Sequence, residues 1–153
     1  MNSDVLRDSE EMIIHLRRIR LDLEGWATKS LAKESSNLSQ YAVLATLDER
    51  GEMTMGGLAQ RLGTTMGAVT NLVDKLVFAG RVDRNRSTED RRVVRVKLLE
   101  PGRELMNRVT RDTAEFLSRY FGSIPAEHRR IAIDVCGKLV ASMQGEAGRP
   151  PTS

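Results

Sequence analysis

Apolar residues along the first thirty positions recur at helical spacing. Leu6, Met12, Leu16, Ile19, Leu23 and Trp26 follow one another at threes and fours, with one longer step, so the pattern predicts an amphipathic helix from about Val5 to Ala32. At 1.5 Å per residue such a helix is about 42 Å long, more than the diameter of a small domain. Its far end needs cover that one short chain does not obviously supply. Gly25 interrupts the stripe without ending it.

Ser35, Ser36 and Asn37 then break the helix, and Ser39 is read as the N-cap of a second helix ending at Leu47. Asp48 to Gly51 reads as a turn. Thr54 is placed to cap a third helix, MGGLAQRL, and Thr65 a fourth whose Val69, Leu72, Val73, Leu76 and Val77 face inward. Gly80 stands where a left-handed C-terminal glycine belongs. Beyond it the period changes from 3.6 to 2: Val94, Val96 and Leu98 point one way, and Val93, Arg95 and Lys97 the other. With Arg81–Asn85 this predicts a β-hairpin looped through Arg86 to Arg91 and closed by Pro101-Gly102. Leu105, Val109, Thr113, Phe116 and Tyr120 mark a fifth helix up to Gly122. Ile131, Val135, Leu139 and Met143 mark a last one after Pro125. The expected fold is mainly α with a small β-hairpin wing.

Charge changes the picture. Arg81 to Leu98 holds seven basic residues against three acidic ones, a local +4, whereas the whole 153-residue chain carries +3. Nucleic acid rewards a positive face rather than a positive average. Composition is globular, at 40% hydrophobic and 29% charged. The chain has no apolar run of membrane-spanning length, and its acidic N-terminus lacks the features of a signal peptide. A single cysteine, Cys136, cannot form an intrachain disulfide, so the expected setting is cytoplasmic. On the last helix Cys136 reads as a small hydrophobe. No metal-ligand, triad, P-loop or dinucleotide spacing is present, so neither an enzyme nor a cofactor is expected.

Leu58-Ala59, Gly63 and Val69 carry the spacing of a helix-turn-helix, with a small residue at the helix crossing and glycine in the turn. An ordinary helical hairpin would look similar. The basic ribbon that follows at once makes a winged helix the better reading, since a merely solvated hairpin needs charge but not one sign of it. Helix 65–79, about 22 Å long, suits the major groove. Thr64, Thr65, Met66, Gly67, Ala68, Thr70, Asn71 and Lys75 would face the bases or their flanking phosphates. Arg84, Arg86, Arg95 and Lys97 are placed for phosphates, and Arg91 or Arg92 for the adjacent minor groove.

The segment LAQRLGTTMGAVTNLVDKLVFAGRVDRNRSTEDRRVVRVKLLEPGREL resembles the MarR family of bacterial transcription regulators, and the helix order resembles it from about residue 5 to 144. The resemblance implies an obligate homodimer, with residues 37–100 as a winged helix-turn-helix on each subunit. Segments 5–33 and 103–144 would form the shared helical region, with 145–153 as a disordered tail. Two such subunits would read a pseudo-palindromic operator on double-stranded DNA. Asp90 and Arg92 match the family's wing tip. Asp74 matches an acidic residue that, in the family, pairs with the wing arginine. Gly67 and Ala68 depart from relatives that carry hydroxyl or charged side chains there.

Relatives often respond to a small aromatic or anionic ligand, and the resemblance implies release of a repressor in this way. His15, Arg18, Trp26, Asn71, Asp74 and Arg92 loosely match one ligand-binding branch. The peroxide-sensing branch has its cysteine near the N-terminus, where this chain has none. Two alternatives stay open: a winged-helix dimer that acts through protein contacts, and a DNA-binding factor that needs no ligand.

Overall fold

The computed structural model describes residues 3–86 and 93–146, of which 144–146 are described by backbone alone. The chain divides into two compact units, Met1–Ala114 and Glu115–Ser153. Wing-tip residues Asp90, Arg91 and Arg92 lie outside the described residues, as does most of the 145–153 tail.

The first unit opens on α1, Ser3–Lys33, which runs through Gly25 without a break. Only Ser30 and Leu31 of this 31-residue helix are buried, so most of its apolar stripe faces solvent in the single chain. Helix α2, Leu38–Arg50, is capped by Asn37 rather than Ser39. The Asn37 side chain accepts from Gln40 N, and Gln40 Oε1 accepts from Asn37 N, a reciprocal capping box. The helix also runs three residues past Leu47, so Asp48 to Arg50 are helical, and Gly51 at φ 77° ends it.

Three strands follow where the sequence pattern predicted two. Strand β1, Met53–Thr54, pairs antiparallel with β3, Val94–Leu98, which also pairs with β2, Val82–Arg86. The order is β1-β3-β2. Thr54 serves twice: it pairs with Arg95, and its hydroxyl accepts from Gly57 N to cap α3, Met55–Arg61. Helix α4, Met66–Phe78, begins at Thr65, whose hydroxyl accepts from Ala68 N. It ends in a Schellman motif: Gly80, at φ 67°, donates to Val77 O, and Arg81 N donates to Leu76 O. That glycine turns the chain directly into β2.

Val43, Leu44, Leu58, Val69, Val73, Leu76, Val96 and Leu105 are fully buried and form one core from α2, α3, α4, the sheet and α5. Helix α5, Glu100–Phe121, starts before Pro101-Gly102, so this pair sits in its first turn rather than in a separate terminator. Proline suits that position because its missing N–H has no helical partner there. A Cβ on Gly102 would lie 2.5 Å from Arg81 O, so only glycine lets α5 approach the wing base this closely. Polar clamps add to this contact: Arg108 pairs with both Glu34 carboxylate oxygens, Arg103 with Asp48, and Ser30 donates to Asp112.

In the second unit, Phe116 and Tyr120 stack edge-to-face one turn apart at 5.3 Å. Arg129 of α6, Ala126–Glu146, donates to Ile124 O and Phe121 O, satisfying carbonyls at the turn after α5. Ile131, Val135, Leu139, Met143 and Cys136 are exposed in the single chain, so Cys136 is not buried as a core hydrophobe there.

Candidate nucleic-acid interface

Helix α3, a turn through Gly63 at φ 60°, and α4 form the helix-turn-helix. Ala59 is buried between them and Val69 is fully buried, as their spacing required. With Val69, Val73 and Leu76 committed to the core, the opposite face of α4 is presented to solvent. Met66, Gly67, Ala68 and Asn71 are exposed there, Thr70 is half-buried, and Thr64 and Thr65 lead into the helix. Thr70 already donates its hydroxyl proton to Met66 O, which leaves it only an acceptor for a partner. Among the described residues Asn71 forms no side-chain hydrogen bond, so its amide offers both a donor and an acceptor, the pair that suits the adenine edge.

The sheet register sorts the wing cations. Val82, Arg84 and Arg86 lie opposite Leu98, Val96 and Val94, on the side that turns toward the core. Arg84 Nη1 is 2.5 Å from Asp74 Oδ1 of α4, and this ion pair joins the second helix of the helix-turn-helix to the wing. Among the described residues Asp74 thus pairs with a residue of β2, while the wing-tip Arg92 that the resemblance implies as its partner lies outside them. Arg95 and Lys97 lie on the other face of β3 and are exposed. Among the described residues, Lys75, Arg86, Arg95 and Lys97 form no ion pair, whereas Arg84 does. Those four cations are therefore available to phosphates without breaking an existing contact. A recess of about 420 Å³ between α4 and the wing is lined in part by Met66, Thr70, Arg84 and Val94.

Of the residues matched to a ligand-binding branch, Arg92 lies outside the described residues, and the others are spread over α1 and α4 in the single chain. His15 pairs with Glu11 and Arg18 with Asp22, both on exposed turns of α1. Trp26 is half-buried beneath the Lys29 ammonium, 5.0 Å from the ring centre. Asn71 and Asp74 belong to α4, and Asp74 to its tie to the wing. Strand β1, the Asp74–Arg84 pair and the role of Gly102 were not visible in the sequence pattern. Two residues are too short to show alternation, and the other two are contacts between distant segments. No described helix is long and apolar enough to cross a membrane.

Comparison with known proteins agrees with this geometry. The MarR family model matches residues 37–94. The chain is 30% identical over 142 residues to the HTH-type transcriptional regulator YsmB of Bacillus subtilis (strain 168), covering 88% of this chain and 94% of that one. It is 29% identical over 101 residues to YdgJ of the same organism, a match that spans 62% of YdgJ. A MarR family protein from Bacillus stearothermophilus superposes with a TM-score of 0.75 at 26% identity, covering 94% of this chain and 99% of that structure. A MepR mutant from S. aureus, crystallised bound to an oligodeoxyribonucleotide, shares the fold with a TM-score of 0.64 at 19% identity, over 86% of this chain and 97% of that one. With its helix-turn-helix, its wing and its length accounted for in this way, the chain belongs to the MarR family of DNA-binding transcription regulators.

Proposed function

We propose that the protein is a cytoplasmic homodimeric repressor that binds a pseudo-palindromic operator and leaves it when a small molecule binds. Segment 37–100 reads DNA, while segments 5–33 and 103–144 hold the dimer. The observation that carries this reading is the division of α4, with Val69, Val73 and Leu76 in the core and Met66, Gly67, Ala68 and Asn71 presented beside four cations that form no ion pair among the described residues. Helix α4 has 13 residues, about 20 Å, which suits the major groove. The wing would then lie over the flanking backbone, with Arg92 reaching the minor groove.

Dimerisation is supported by the uncovered apolar stripes. Leu6, Met12, Leu16 and Ile19 on α1, and Ile131, Leu139 and Met143 on α6, are too many large exposed hydrophobics for a lone chain. Two-fold symmetry would place the two α4 helices at half-sites one helical turn apart. A ligand that alters their spacing would release the operator, because such half-sites tolerate little error.

Fluorescence anisotropy with the DNA upstream of the protein's own gene, against a scrambled duplex and over a salt series, tests the reading. Tight binding to the first and weak binding to the second is expected. Equal binding to both at every salt concentration would reduce the protein to a nonspecific basic surface.

A further inference from the structure

Residues 34–37 connect α1 to α2 and turn the chain from the long first helix toward the helix-turn-helix. Helix α1 ends there in a Schellman motif: Ser35 N donates to Ala32 O, and Ser36 N to Leu31 O. The same pair of bonds recurs at Gly63 after α3 and at Gly80 after α4. Both glycines hold the left-handed backbone that the motif needs, at φ 60° and 67°. Ser35 holds it at φ 50°, and it is the one non-glycine residue with positive φ among the described residues. A side chain strains that conformation, and such strain persists only where the surroundings over-determine it.

Two arginines from different parts of the chain close on the neighbouring residue. Arg81 Nη2 donates to Glu34 O at 2.6 Å. Arg108 Nε and Nη2 donate to the two Glu34 carboxylate oxygens at 2.9 and 3.2 Å. Arg108 stands on α5, whereas Arg81 stands at the junction of α4 and β2. There Arg81 is itself fixed, since its N donates to Leu76 O and its O accepts from Leu99 N. One half-buried residue, Glu34, thus ties the end of α1 to α5 on one side and to the winged helix on the other. Past Ser35 the chain is held again, because Ser36 Oγ donates to the Gln40 side chain that completes the α2 capping box.

We propose that Arg81 and Arg108 are positioning residues: acting through Glu34, they hold Ser35 in its strained conformation and so fix the angle between α1 and the helix-turn-helix. None of the three touches DNA in this account. Their effect on recognition is geometric. Helix α4 is about 20 Å long, so a turn of about 5° at its C-terminal end, where Arg81 sits, carries its N-terminus about 2 Å. Two subunits double that to about one base-pair step of roughly 3.4 Å, enough to spoil the match to two half-sites. The consequence for half-site spacing rests on the homodimeric operator reading given above. The angle itself does not, because every contact that sets it lies within one chain.

Spin labels on Arg17→Cys in α1 and Gln60→Cys in α3, both exposed positions, report the angle as a distance within one chain. The labelled full chain carries Cys136→Ser, is diluted with unlabelled protein, and is measured by double electron–electron resonance. Arg108→Gln is expected to move the mean distance by about 2 Å or more, as Ser35 relaxes toward negative φ. Arg81→Gln should act alike, since it severs the tie from the winged-helix side. Adding Ser35→Gly to either variant should return the wild-type distance, because glycine holds φ 50° unaided. Ser35→Gly alone should keep the distance and raise the urea midpoint. On the upstream duplex, Arg108→Gln should weaken binding about tenfold with an unchanged salt slope, and the double variant should recover it. An unchanged distance in either arginine variant, or a shift that Ser35→Gly does not restore, would overturn the proposal. So would a salt slope lower by about 0.9 in Arg108→Gln, the mark of a direct phosphate contact. If the wild type itself shows no preference for the upstream duplex, the operator reading fails, and the distances still decide the role of the corner.

Discussion

At the residue scale, position and partner matter more than charge. Arg84 and Arg86 are two residues apart on β2, yet Arg84 is held by Asp74 and Arg86 is unpaired. Arg86→Ala is therefore expected to reduce the salt slope of DNA binding by about 0.9, the value of one phosphate contact, and Arg84→Ala to leave it nearly unchanged. Salt-dependent anisotropy on the two variants checks this. An exposed ion pair such as Asp74–Arg84 is worth about 0–1 kcal/mol, so neither change should lower stability much. Gly102→Ala is a contrasting case. Its new methyl meets Arg81 O at 2.5 Å, backbone that is already hydrogen-bonded to Leu99 N and cannot easily retreat. A loss of about 1–3 kcal/mol in urea unfolding is expected. The richness of arginine in the wing was legible in the sequence. Which arginine is tied was not, because that depends on register and on a residue ten positions away.

Among the elements, legibility followed the length of the repeating pattern. Helices α1, α4, α5 and α6 carry several turns of periodic apolar residues, and strand β3 alternates over five positions. Thr54, Thr65 and Gly80 announced their ends because hydroxyls and glycine do a specific job at helix termini. The start of α2 was misplaced at Ser39. The deciding signal was the pair Asn37 and Gln40, three apart, which can cap each other, whereas Ser39 has Ala42 at that spacing. Asn37→Ala is expected to cost about 1 kcal/mol, seen as a lower urea midpoint with an unchanged m-value. Strand β1 escaped notice because two residues have no period. It exists because β3 offers it an edge, a tertiary cause.

On the scale of the whole molecule, the proposed function assigns the exposed apolar stripes of α1 and α6 to a second copy and the cationic wing to nucleic acid. The over-long first helix was visible in the sequence as a problem of cover. The proposed cover, a second copy, rests on resemblance, since no periodic pattern states which surface meets which. Leu16→Asp changes a residue that is exposed in the single chain, so it should leave the fold intact while shifting the sedimentation of the protein from dimer toward monomer. Operator affinity should fall with it, because each half-site would then be bound alone.

The central claim is that α4 reads bases while the wing cations hold phosphates, and one measurement separates those roles. Anisotropy titrations of the wild type, Asn71→Ala and Arg95→Ala would be run on upstream and scrambled duplexes across a salt series. The account predicts that Asn71→Ala lowers discrimination between the duplexes by about tenfold and keeps the salt slope. It predicts that Arg95→Ala weakens both duplexes alike and reduces the slope by about 0.9. Loss of slope in Asn71→Ala, or loss of discrimination confined to Arg95→Ala, would contradict the assignment of α4 as the reading element.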